Sequence, residues 1–166
     1  MGKSKNENWN PKSLTTIDDL SAELDKIEAA QHAGTLSTHG KWSVGQNLEH
    51  CALFIEGSLD GFEMGIPWPM RLIGKLFIKR MLTKPGAQMK PGFNAPTEGN
   101  PLMPRDEVSV DEGLAKMKGL VGRLQNGEQM TQDSPFLGKM THELWVALHL
   151  NHCRMHFGFF EYGEQA

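Results

Sequence analysis

Seven histidines occur in the chain, and three of them, His149, His152 and His156, fall in one short stretch. Imidazole is both a common metal ligand and the side chain that exchanges protons near neutral pH. At about 100° per residue these three rings occupy an arc of about 60° on a helical wheel. Trp145, Phe159 and Phe160 flank the arc, and Asn151, Arg154 and Glu161 lie opposite. The histidine face is therefore the one expected to point inward. A buried imidazole brings a donor and an acceptor, and leaving either unpaired costs roughly 1–3 kcal/mol. A divalent ion satisfies the ligating nitrogens. An internal hydrogen-bond network is the other solution.

His152 and His156 are spaced i and i+4, so both rings leave one face a turn apart, a spacing that chelates zinc. The residues between them are Cys-Arg-Met, so this is not the metalloprotease HExxH pattern. A catalytic metal usually takes three protein ligands and keeps a position open. The candidate third ligand is His50, within Asn47-Leu48-Glu49-His50-Cys51. It lies about 140° from the centre of its own helix's apolar stripe, beside Phe54, Gly57 and Gly61. Either that helix is buried on two sides, or the site occupies a flank groove where the glycines leave room. His149 is expected to orient a ligand or to act as a catalytic base; Glu49, Glu56 and Glu143 are the other acid–base candidates. His32, His39 and His142 read as surface residues.

Four long helices must position these groups. Leu14, Ile17, Leu20, Leu24 and Ile27 mark the first, over Thr15 to Gln31, with Asp18 and Asp19 in its first turn and Gly34 at its end. Ser43 caps the second, whose stripe is Val44, Leu48, Cys51, Ile55, Leu59 and Phe62; it stops near Gly61 to Gly65, before Pro67 and Pro69. The third runs from Ser109, paired with Glu112 in a capping box, to Gln125 before Asn126-Gly127. The fourth starts at Thr141 and reaches about Tyr162. Residues 70–82 form a short amphipathic cationic helix with Arg71, Lys75 and Lys79 on one face. It reads as a lid packed across the bundle rather than a membrane-surface helix. The segment from Lys84 to Arg105 carries Pro85, Pro91, Pro96, Pro101 and Pro104. It reads as an ordered connection anchored by Met89, Phe93, Leu102 and Met103. No strand pattern stands out. The expectation is an all-α four-helix bundle, residues 14–163, with a short extra helix, a long Pro-rich connection between helices 2 and 3, and a flexible tail over residues 1–13.

Composition narrows the function classes. The 166 residues suit one domain. Leu and Met far outnumber Ile and Val, which favours helix. A net charge of −3 and a pI near 6.2 leave no electrostatic footprint for nucleic acid. No apolar run reaches transmembrane length, and Met1 to Lys12 lacks a signal-peptide core. Cys51 and Cys153 read as buried, reduced thiols, so a cytoplasmic protein is expected.

Two segments carry a family resemblance. Lys41-Trp42-Ser43-Val44-Gly45-Gln46-Asn47-Leu48-Glu49-His50 resembles the second-helix motif of the DinB-like (YfiT-like) superfamily, in which Trp-Ser-x-Gly-Gln precedes a histidine. Leu148 to Phe157 resembles that superfamily's last-helix HxxxH. Phe136-Leu137-Gly138-Lys139-Met140-Thr141, and Pro91-Gly92-Phe93 in the connection, are similar to one bacterial branch. The resemblance implies a bundle holding a divalent metal, zinc or nickel, on His50, His152 and His156. It also implies a metal-dependent thiol S-transferase or hydrolase acting on a small-molecule substrate, as a monomer or homodimer. Phe157-Gly158-Phe159-Phe160 departs from the polar pair many members carry after the last ligand. The competing expectation is a non-catalytic bundle that binds a small ligand or partner.

Overall fold

The computed structural model describes residues 9–65, 79, 89–92 and 100–163. Its elements are α1 (Ile17–His32), β1 (Leu36–Thr38), α2 (Val44–Asp60), α3 (Val110–Gln125), α4 (His142–Phe157) and β2 (Phe160–Tyr162). The short cationic helix expected over 70–82 lies outside the described residues except for Lys79, as does Phe93.

Each helix begins at a side chain that satisfies otherwise orphaned backbone donors. Thr16, Ser43 and Ser109 form full capping boxes with Asp19, Gln46 and Glu112. Thr141 caps α4 by accepting from the Leu144 amide. Gly61 and Gly127, at φ +111° and +90°, follow the ends of α2 and α3.

Contacts along the helices fix their directions. Asp18 meets Gln125, and Asp25 and Glu28 meet Lys118, so α1 and α3 run antiparallel. Leu48 packs at Gly113, Glu56 pairs with Lys116 and Asp60 with Arg123, so α2 and α3 run parallel. Asn47 meets His156 and Ser58 meets His149, so α2 and α4 are antiparallel. The bundle is up-down-down-up. Two parallel neighbours cannot be joined by a tight turn; the chain has to travel back the length of the bundle, hence the long connection of residues 61–109.

The first turns of α2 and α3 touch backbone to backbone. A Cβ on Gly45 would lie 2.2 Å from the Val108 carbonyl, and one on Gly113 would lie 2.8 Å from the Leu48 Cβ. The shared core includes Leu20, Leu24 and Ile27 from α1, Leu48, Cys51 and Ile55 from α2, Met117 and Val121 from α3, and Leu148, Cys153 and Phe157 from α4. Both cysteines are buried and free, as expected. Among the described residues no helix is long and apolar enough to cross a membrane.

Two local features depart from the sequence reading. Helix α4 stops at Phe157, and Phe160–Tyr162 forms a strand paired antiparallel with Leu36–Thr38 in the register Leu36↔Tyr162 and Thr38↔Phe160. Strands of three residues carry too little alternation to be read, and their partner is more than 120 positions away in sequence. Residues 9–12, expected within a tail, lie against the end of α4. The Trp9 indole donates to the Met155 carbonyl at 3.0 Å and rests on Gly158, the Asn10 amide donates to the Gly158 carbonyl, and Lys12 donates to the Phe160 carbonyl.

Candidate metal centre

His50 from α2 meets His152 and His156 from α4 across the antiparallel interface. One nitrogen from each ring can be chosen so that all three lie within 4.8 Å of one another. Two nitrogens sharing a tetrahedral zinc sit roughly 3.3 Å apart, so the cluster has the scale of a metal site. Ring centroids are 5.0 Å apart for His50–His152, 4.8 Å for His50–His156 and 4.6 Å for His152–His156.

The partners of the outer nitrogens fix which atoms face inward. His50 Nδ1 lies 2.6 Å from the Leu102 carbonyl oxygen. A carbonyl only accepts, so Nδ1 carries the proton and Nε2 the lone pair. His156 Nδ1 lies 2.8 Å from Asn47 Oδ1. The Asn47 amide orientation is set independently, because Nδ2 donates to the Trp42 and Ser43 carbonyls at 3.2 and 2.9 Å. Oδ1 therefore accepts, and His156 is also protonated on Nδ1 with Nε2 free. His152 Nε2 approaches His156 Nε2 at 3.1 Å. This is the outer-partner pattern of metal-ligating histidines.

Burial keeps the rings neutral. It pulls the His50 pKa down against the opposing Leu102 hydrogen bond, and pulls His156 down to about 3, with the repulsion that a second proton would meet beside His50 adding to the shift. His152 is pushed well below its ordinary value, first by burial and then by the neighbouring histidines. Neutral imidazole is the ligand form. His50 and His156 are buried and His152 is half-buried. Aromatic rings wall the cluster. Trp42 stacks on His156 at 5.7 Å and 6°, and Phe54 lies 4.7 Å from the His152 centroid.

Helix α2 is buried on two sides, which settles the choice left by its wheel: Asn47, Glu49 and His50 are buried together with the apolar stripe. The room expected beside Gly57 is filled, since a Cβ there would lie 2.3 Å from the Phe62 ring. His149 is not brought into the cluster. It stacks on Trp145 at 5.2 Å and 7°, and is 1% exposed. The Ser58 hydroxyl donates to the Ile55 carbonyl at 2.6 Å, so Ser58 Oγ accepts from His149 Nε2 at 2.9 Å. His149 Nδ1 then keeps a buried lone pair with no partner among the described residues, and burial lowers its pKa to about 3. The three candidate glutamates are engaged elsewhere: Glu49 with Arg105, Glu56 with Lys116, and Glu143 in the exposed first turn of α4. His39 is a surface group paired with Glu161, and His142 accepts from the Met130 amide.

Sequence reasoning missed Asn47 and the Leu102 carbonyl. Asn47 stands one helical step before His50 on α2, amid a run of polar residues in a buried helix, and that run was the available signal. A backbone carbonyl on a distant turn leaves none.

Fold and cluster together define a helical bundle whose three histidines could hold a metal ion. The chain belongs to the protein family of unknown function DUF1569, which matches residues 9–162. No curated protein and no solved structure matches it.

Proposed function

We propose that the chain is a divalent-metal-dependent enzyme of the DinB-like superfamily, a thiol S-transferase or hydrolase type acting on a small molecule. The ligands are His50, His152 and His156, and the metal is zinc or nickel. One observation carries this reading. Both His50 and His156 have their Nδ1–H held by an oxygen acceptor, so that Nε2 of each is a lone pair directed into the cluster. A bound divalent ion would supply Lewis acidity, lowering the pKa of a water or thiol in its open position.

The chain's own residues orient and enclose. Asn47 and the Leu102 carbonyl hold two rings in the ligating tautomer. Trp42 and Phe54 exclude water from the flanks of the site. No carboxylate of the described residues joins the three rings, so the cluster adds no negative charge to a divalent ion and favours an anionic fourth ligand such as hydroxide or thiolate. His149, sealed behind Trp145 and bound to Ser58, takes a packing role in this reading.

A second reading is supported by the 3.1 Å approach of His152 Nε2 to His156 Nε2. A proton on His152 Nε2 would make that contact an ordinary hydrogen bond and the cluster a structural network in a non-catalytic bundle. Elemental mass spectrometry on chelator-free protein separates the two. Close to one divalent metal per chain, lost in His50→Ala, His152→Ala and His156→Ala alike, supports the centre. Wild type that stays empty after zinc and nickel are offered leaves the network.

A further inference from the structure

The connection between α2 and α3 returns to the bundle against one face of α2. Gln46, Glu49 and His50, spaced i, i+3 and i+4, project from that face. Each grips the returning chain. Gln46 Nε2 donates to the Arg105 and Asp106 carbonyls at 3.1 and 3.0 Å. Glu49 accepts from the Arg105 amide and from its Nε, both at 2.7 Å. His50 Nδ1 donates to the Leu102 carbonyl. The carbonyl is presented by a turn in which Pro101 sets the backbone, the Met103 amide donates to the Asn100 carbonyl at 3.0 Å, and the Leu102 amide donates to Asn100 Oδ1 at 3.0 Å. With the Leu102 amide engaged by Asn100, its carbonyl meets the imidazole.

Glu49 is the strongest of the three grips. It is 6% exposed, its two oxygens each take a short charge-assisted bond, and both come from one residue three positions after Leu102. Its bond to the Arg105 main chain fixes the backbone, not just a surface side chain. The Arg105 guanidinium itself is largely exposed, so the pair adds little as a surface ion pair. Its effect is on where the chain lies. We infer that Glu49 is a positioning residue for the metal centre: by clamping Arg105 it holds the Leu102 carbonyl on His50 Nδ1, and so keeps His50 in the one tautomer and orientation that turns Nε2 toward His152 and His156.

This inference rests on the metal reading for its consequence but not for its geometry, and the test separates them. Protein labelled with ¹⁵N on histidine, in wild type, Glu49→Ala and Glu49→Gln, is examined metal-free by NMR for the tautomer of each ring. The same proteins are then titrated with Co(II), read by its d–d absorption. Circular dichroism checks that each variant is folded; alanine suits the helix interior. Wild type is expected to show His50 protonated on Nδ1 alone. Glu49→Ala is expected to show mixed His50 tautomers, an unchanged His156, and Co(II) binding weakened about 10-fold, the low end of the range for loss of a ligand's direct partner, because Glu49 acts through Leu102. Glu49→Gln, which keeps one acceptor, is expected between the two. A His50 tautomer that stays Nδ1-protonated in folded Glu49→Ala, or Co(II) affinity equal to wild type, overturns the inference. Wild type that binds no Co(II) overturns the metal reading instead, and the tautomer result still decides the role of Glu49.

Discussion

The α2–α4 interface carries the same pair of rings at both ends and puts them to different use. At one end Trp42 stacks on His156; at the other Trp145 stacks on His149, with nearly the same interplanar angle, 6° against 7°. What differs is the atom that each imidazole has satisfied. Asn47 takes the Nδ1–H of His156 and leaves Nε2 facing two more imidazoles. Ser58 takes the Nε2–H of His149 and leaves Nδ1 facing no polar group of the described residues. A histidine on an inward helix face is thus not informative by itself. Its partner decides whether the spare lone pair meets others or is sealed in the core.

The largest effect expected to expose this contrast is acid sensitivity. Burial lowers the pKa of His50, His149, His152 and His156. Above about pH 6.5 both folded and unfolded chains hold these rings neutral. Below it the unfolded chain takes up protons that the folded one refuses, so stability falls as pH drops from about 6.5 toward 3. His149 and His156, both held down to about 3, each contribute about 1.4 kcal/mol per pH unit in that window, and His50 and His152 add to the loss in the same direction. Urea unfolding at pH 7 and pH 5 should therefore show a loss of several kcal/mol in metal-free wild type. His149→Phe should remove about 2 kcal/mol of that loss and leave stabilisation by zinc intact. His156→Ala should reduce the loss by a similar share and abolish the zinc effect. A urea midpoint that is flat between the two pH values would contradict the burial of neutral imidazoles at both ends.

Much of the frame behind this contrast was legible in sequence, because it is local. Ser43, Ser109 with Glu112, and Thr141 announce three helix starts through backbone capping, and Asn126-Gly127 announces an end. The i, i+4 spacing of His152 and His156 and the inward arc follow from helical periodicity alone. What was not legible depends on the other helix or on the backbone. The arc puts His149 on the same face as its neighbours, but a wheel records direction and not the residue met there, so it could not show that His149 meets Ser58 while His156 meets Asn47. Asn151 was placed on the outer face, yet it is 3% exposed, since α4 is covered on more than its histidine side. The bonds from Gln46 and Glu49 to residues 105 and 106 span more than 50 positions and run partly to main chain, so no side-chain pattern could show them.

A smaller effect should distinguish the outer partners at the two ends. Asn47→Leu keeps the approximate volume but removes the acceptor of His156 Nδ1. Affinity for Co(II) or zinc should fall 10- to 100-fold, about 1.4–2.7 kcal/mol. Ser58→Ala removes the equivalent partner of His149 and should leave metal affinity unchanged. Competition titration against a chromophoric chelator measures both. Equal losses in the two variants would mean that the ends are coupled and that His149 belongs to the centre after all.

The smallest net effect is expected where both members of the closed end are removed. Ser58→Ala alone strands the Nε2–H of His149 in the core and should lower stability by roughly 1–3 kcal/mol. His149→Phe keeps a ring to stack on Trp145 while deleting both the donor that Ser58 accepts and the unpartnered Nδ1. Deleting a whole buried polar pair in favour of apolar atoms of similar shape can be close to neutral. The double variant, Ser58→Ala with His149→Phe, should therefore be more stable than Ser58→Ala alone and lie near wild type. A double-mutant cycle by urea unfolding reads the coupling directly. If Ser58→Ala costs as much beside Phe as beside His, the Ser58–His149 bond contributes nothing, and the serine acts only through its bond to the Ile55 carbonyl. If His149→Phe instead abolishes metal binding, the sealed histidine acts on the centre one turn away, and the two ends of the interface form a single site.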